Sequence, residues 1–236
     1  MRLWIDTDVG NNPDDAIALL CAVAHPDVEL VGVSTVDGEI ERRAKTARAH
    51  VGAVPVCAGP PPPDLGGAEA LLLIGPWTHG AEIAVRGGFS GRIAAMGGAR
   101  RPVFHRGVLQ VVEHNVGADP AAARTLLDHG VRVLVVPLDV TATVVCSRAE
   151  EQQIVDGRPD LDEAIAQWRH DAGDVPLCLH DALALLALMG APRIDIASTP
   201  VSVGQHGVMH SRGDEHDVVV GADRHAVVAR VLTLLG

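Results

Sequence analysis

Near its start the chain runs Leu3-Trp4-Ile5-Asp6-Thr7-Asp8-Val9-Gly10-Asn11-Asn12-Pro13-Asp14-Asp15-Ala16. A short apolar run ends in two carboxylates. A glycine-bearing turn follows, and a second carboxylate pair opens an amphipathic segment. Read as local structure alone, Asn12 caps a helix, Pro13 is its first residue, and Asp14 and Asp15 complement its dipole. Four acids between Asp6 and Asp15 nevertheless repel one another unless something positive sits among them. A hard divalent cation is the natural partner, and Ca²⁺ accepts irregular oxygen cages more readily than Mg²⁺. The end of a strand in an α/β sheet is where such sites form.

Working outward, Arg2–Ile5 reads as a buried strand and 13–24 as a helix stopped by His25-Pro26. Val28–Thr35 is a continuous apolar strand, Val36-Asp37-Gly38 a turn, 39–50 a helix and Val54–Cys57 a third strand. This β-α-β-α-β order predicts a parallel sheet with right-handed crossovers. Gly59-Pro60-Pro61-Pro62-Pro63 reads as a stiff surface connector. Strands follow at 71–74, 92–96 and 131–136, with helices near 81–85 and 119–129 and a loop over 97–107. Helices are expected at 148–155, 161–170 and 180–189. Short strands with a polar hairpin fill 201–217, and a closing helix runs from 223 to 235. The expected fold is α/β: one domain over residues 1–236, an open, mostly parallel sheet flanked by helices around a Rossmann-like core.

The chain of 236 residues is 47% hydrophobic but only 2% aromatic, with no tyrosine. Its core must therefore be built from aliphatic side chains. A net charge of −11 argues against nucleic-acid or anionic-membrane partners. Cys21, Cys57, Cys146 and Cys178 form no CxxC pair and read as reduced thiols. With no signal peptide and no apolar run of membrane-spanning length, the expected location is the cytoplasm.

Two further constellations carry chemistry. Leu179-His180-Asp181-Ala182-Leu183 places a charged pair at the start of an apolar helix. There Asp181 is either a first-turn acid or a metal ligand, and His180 is a proton donor near neutral pH. In Val112-Glu113-His114-Asn115-Val116, Glu113 and Asn115 face one side if the segment is extended, an acceptor and a donor suited to sugar hydroxyls. Their other reading is a solvated turn, and His114 is left as a surface or core histidine.

These residues carry a resemblance. DTDVGNNPDDAIAL resembles the DTDxGxDxDDAxAL signature of the inosine-uridine-type nucleoside hydrolases. The likeness continues in order through VELVGVSTVDG, IGPWTHGAEIA, MGG, VEHNVGADPAAA, PLDVT and LHDALAL. It implies the family's open α/β sheet, Ca²⁺ as cofactor, and hydrolysis of the N-glycosidic bond of a ribonucleoside or related N-riboside. It further implies metal ligation by Asp8, Asp15, Asp181 and the Ile74 carbonyl, with Asp8 also the base that activates the metal-held water. Asp14 would hold ribose hydroxyls, Glu113 and Asn115 the sugar's far end, and His180 would protonate the leaving base. The expected assembly is a homodimer or homotetramer.

The departures fall on the substrate side. Glu39 stands where the family has an asparagine facing the ribose, and His79 where it has one after Thr78. Asn12 replaces a carboxylate common in the signature, and a further sugar-contacting asparagine is replaced near Gly107. Trp168 and His170 fall near a helix that approaches the base. The chain is some tens of residues shorter than typical members, with the loss centred on the polyproline region, where the family carries a flap. A member that binds a nucleoside or sugar without hydrolysing it is the alternative. Asp6-Thr7-Asp8 also resembles the DxD motif of haloacid-dehalogenase-like phosphatases. Those enzymes need a lysine late in the chain, and here the only lysine is Lys45.

Overall fold

The computed structural model describes residues 1–10, 12–105, 107–173 and 175–236, and the side chains of these apart from 105, 160 and 172. Residues 11 and 106, in the opening signature and in the loop before Gly107, lie outside the described residues. Strands β1 (Arg2–Thr7), β2 (Glu29–Thr35) and β3 (Val56–Ala58) alternate with helices α1 (Pro13–Ala24) and α2 (Ile40–Val51). Next come β4 (Ala70–Leu73), α3 (Thr78–Arg86), β5 (Arg92–Met96) and the hairpin β6 (Val103–His105) and β7 (Val108–Gln110). The chain continues through α4 (His114–Ala118), α5 (Pro120–Asp128), β8 (Val133–Val136), α6 (Leu138–Thr141), α7 (Arg148–Val155) and α8 (Pro159–Ala172). It closes with α9 (His180–Leu188), β9 (Ile194–Val203), β10 (Met209–Ala222) and α10 (Arg224–Leu235).

Eight strands form one sheet in the order β3-β2-β1-β4-β5-β8-β10-β9. All neighbours run parallel except β9, which pairs antiparallel with β10. The chain winds outward from β1 to β3, then returns to lay β4 on the other side of β1. That reversal opens a crevice beyond the carboxyl ends of β1 and β4.

The sheet is covered on both faces, so its central strands are apolar on both sides rather than alternating. Leu3 and Ile5 face one core together with Ile17, Leu183 and Val227; Trp4 faces the other with Trp77 and Leu126. The same alternation separates the next two residues. Thr7 turns to the α1 side, where its hydroxyl donates to Asp15 at 2.6 Å. Asp6 turns to the α3 side and accepts from Ser34 and His79.

Three segments differ from their sequence reading. Val103–His105 pairs antiparallel with Val108–Gln110, separate from the main sheet, in a region read as a loop. The region before α10 holds two long strands of 10 and 14 residues that pair antiparallel with one another, and β10 joins the main sheet by pairing with β8 at Asp217 and Val218. The segment after Glu113 is helical, not extended. The Glu113 carboxylate accepts from the amides of Asn115 and Val116, so it caps a short helix in a segment read as either extended or a solvated turn. In the polyproline connector, Leu65 is fully buried and anchors a short 3₁₀ turn.

Candidate active site and metal centre

The crevice is lined from the ends of β1, β2, β4, β5 and β8, and α9 closes it from one side. Gly75, just after β4, makes this convergence possible. A Cβ there would lie 2.7 Å from Val36 Cγ1 and 2.9 Å from the Asp8 amide nitrogen. The result is a cavity of 480 Å³, within the size range of small-molecule sites.

Asp14, Asp15 and Asp181 converge on its floor, each offering an oxygen within 4.8 Å of the others. The first two are adjacent in the first turn of α1 and the third in the first turn of α9, so two helix N-termini face the same point. All three side chains are buried. Burial pushes the Asp15 carboxyl well above the ordinary carboxylate range, and the charges of Asp8 and Asp14 push it further, against the Thr7 hydrogen bond. Burial does the same to Asp181, reinforced by Asp14, Asp15 and Asp8. Buried acids in this relation hold protons or a cation. A dication suits this all-oxygen donor set and would remove both the repulsion and the desolvation cost.

Asp8 lies outside that three-residue group but on the same cavity wall. Burial raises its carboxyl, with Arg43 opposing. Its Oδ2 is 3.8 Å from Arg43 Nη2 and 3.9 Å from His114 Nε2. The Ile74 carbonyl is on the wall and accepts from Asn115 Nδ2 at 3.4 Å, while the same amide donates to Met96 O at 3.2 Å. Glu113 is buried beside it, and burial raises its carboxyl against three backbone amides, of Asn115, Val116 and Gly98. His180 faces the cavity with its Nδ1 held 2.7 Å from Thr141 Oγ1, which sets the ring's orientation. Trp168 of α8 also lines the cavity.

A profile of the inosine-uridine preferring nucleoside hydrolases matches residues 3–92 and 87–229. The chain belongs to this family. Its members are hydrolases acting on N-glycosyl bonds. An uncharacterised protein of Schizosaccharomyces pombe is 28% identical over a match that takes in 60% of this chain and 62% of that protein. The chain thus spans under two thirds of that curated relative's length. Solved structures of similar fold include a plant nucleoside hydrolase, with TM-score 0.83 at 18% identity over 99% of this chain and 98% of that one. The inosine-uridine preferring nucleoside hydrolase from Bacillus anthracis has TM-score 0.76 at 16% identity, covering 99% and 98% of the two chains. The purine-preferring ribonucleoside hydrolase from Gardnerella vaginalis has TM-score 0.78 at 21% identity, covering 100% and 99%.

Of the residues singled out for the family's chemistry, the fold brings Asp8, Asp14, Asp15, Ile74, Glu113, Asn115, Trp168, His180 and Asp181 to one cavity. Two others sit elsewhere. The Glu39 side chain is 75% exposed and pairs with Arg42 at 3.3 Å, off the cavity wall. Glu39 directly precedes α2 and points along the outside of that helix. His79 is buried below the site, its Nδ1 2.9 Å from Asp6. Burial alone would lower the His79 pKa, but the Asp6 partner outweighs it and raises it. Asp6 is itself raised by burial, against its contacts with His79 and Ser34. Sequence reasoning missed Arg43, Asp37, Gln110 and His114 as wall residues. Only His114 carried a signal, its place between Glu113 and Asn115.

Proposed function

We propose that this family member hydrolyses the N-glycosidic bond of a ribonucleoside or related N-riboside to ribose and free base, with Ca²⁺ as its cofactor. The observation that carries this reading is the buried Asp14–Asp15–Asp181 group on the floor of a cavity at the sheet's switch point. Asp15 and Asp181 of that group, with Asp8 and the Ile74 carbonyl, would hold the ion. Bound there, Ca²⁺ supplies Lewis-acid lowering of a water's pKa and a fixed positive charge.

The remaining chemistry belongs to the chain. Asp8 stands on the wall as the acceptor for the proton that water loses as its oxygen joins the anomeric carbon. As the carbon–nitrogen bond breaks, its electrons leave with the base, and His180 donates a proton to a ring nitrogen. The sugar carries positive charge in between, and the carboxylates of the floor stabilise it. Asp14 orients ribose hydroxyls, Asn115 and Glu113 close off the sugar's far end, and Trp168 offers a flat apolar face to the base. Glu39 and His79 take no part in this assignment.

The test is incubation of the protein and Ca²⁺ with inosine, uridine, adenosine, cytidine and nicotinamide riboside, followed by assay for free ribose. Release from at least one is expected, and it should be abolished by chelation. Thermal stabilisation by a nucleoside with no ribose released from any of them would instead establish binding without hydrolysis.

A further inference from the structure

The cavity wall is dominated by carboxylates, and among the described residues its one guanidinium is Arg43. It projects from the first turn of α2 and is 13% exposed. Its Nε donates to the Asp37 carbonyl at 2.8 Å and its Nη1 to the Val9 carbonyl at 3.5 Å. The side chain therefore ties the turn after β1 to the turn after β2. Its third nitrogen, Nη2, lies between two carboxylates, 3.8 Å from Asp8 Oδ2 and 3.7 Å from Asp37 Oδ2.

From this arrangement we infer that Arg43 is a positioning residue for Asp8. The two carbonyls fix the guanidinium plane, and the fixed plane holds one carboxylate oxygen of Asp8 against the wall. This inference rests on the proposed hydrolysis, in which Asp8 takes the proton from water. The separations to the carboxylates exceed hydrogen-bond length, so the hold is electrostatic. It restrains the side chain without occupying the lone pairs that must accept a proton. A cation inserted into the floor would otherwise draw Asp8 freely toward itself. Arginine suits the task because it stays charged across the working pH range, and its planar fork reaches two carbonyls and a carboxylate at once. A lysine offers only a point charge.

The experiment compares wild type, Arg43→Gln, Arg43→Lys, Asp8→Asn and the Arg43→Gln/Asp8→Asn double variant. Steady-state kinetics are run on whichever ribonucleoside the wild type cleaves, and Ca²⁺ is titrated calorimetrically with the metal alone. Arg43→Gln should lower kcat at least about tenfold with KM within about twofold, the pattern of a misoriented reacting group. It should bind Ca²⁺ about twofold to tenfold more tightly, because a positive charge beside the carboxylates is gone. Arg43→Lys should lose about threefold in kcat. In the Asp8→Asn background, Arg43→Gln should cost nothing further, since its partner is already absent.

Weaker Ca²⁺ binding by Arg43→Gln would mark a purely structural strut and overturn the inference. So would wild-type kcat in Arg43→Lys, the variant least prone to misfold, or a full tenfold loss in the Asp8→Asn background. A wild-type protein that neither binds Ca²⁺ nor releases ribose removes the proposed reaction and this inference together. A wild type that does both, beside an Arg43→Gln that matches it, removes this inference alone.

Discussion

Replacing Asp181 with asparagine separates the cost of the acidic floor from its use. With no cation bound, the carboxylates of Asp14, Asp15 and Asp181 stand within 4.8 Å of one another in a buried site. Two full charges at that separation repel by about 3.5 kcal/mol at an effective dielectric near 20. The raised carboxyls of Asp15 and Asp181 mean that protonation relieves part of this, leaving about 1–3 kcal/mol to be recovered at pH 7. Asp181 also loses a favourable first-turn interaction with the α9 dipole, about 0.3–1 kcal/mol, too small to reverse the sign. In chelator, this net gain of about 0–2.7 kcal/mol should raise the melting temperature of Asp181→Asn by up to about 11 °C over wild type, at about 2–4 °C per kcal/mol for a chain of this size. Addition of Ca²⁺ at 100 times its Kd should stabilise wild type by about 2.7 kcal/mol and the variant by a small fraction of that. Thermal denaturation with and without chelator reads both arms. A variant that melts below wild type in chelator, or an equal rise in both melting temperatures with Ca²⁺, would show that the floor carries no such repulsion.

The same carboxyls make the chelated protein's stability depend on pH. Asp15 and Asp181 have folded-state pKa values raised above their ordinary value of 3.8, so their contribution is full below that value and is lost as pH rises through the raised ones. Chelated wild type should lose stability through that window, and Ca²⁺ should remove most of the dependence; denaturant melts across pH decide it. Gly75→Ala would place a methyl 2.7 Å from Val36 Cγ1 and 2.9 Å from the Asp8 amide. It should cost about 1–3 kcal/mol and at least tenfold in kcat by displacing the Asp8 turn, and wild-type kinetics would contradict this. Glu113→Gln replaces a carboxylate that accepts from three amides. A loss of about 1–2 kcal/mol is expected in urea melts, and an unchanged midpoint would show that the cap contributes nothing. His180→Ala should lower kcat by about a hundredfold for poor leaving bases and much less for a good one such as p-nitrophenyl riboside. Equal losses on both substrates would remove His180 as the proton donor.

The elements that build the floor are legible in the chain before it folds. Its apolar strand ending in Asp6-Thr7-Asp8, its Pro13 helix start and its His180-Asp181 helix start are all local signals, and each appears where its residues dictate. The alternation of strand and helix likewise carried the parallel sheet, because hydrophobic periodicity and crossover handedness are properties of short segments. Which side chains share the cavity was decided only by tertiary structure. Asp6 and Thr7 are adjacent, yet pleating sends one to His79 and the other to Asp15. Glu39 and Arg43 are one helical turn apart, yet the first points to solvent and the second to Asp8. Glu113 reads as an extended, sugar-facing residue or as part of a solvated turn until the Gly98 amide is brought to it from the end of the neighbouring strand. Such orientations depend on partners tens of residues away, and no local spacing records where a partner will lie.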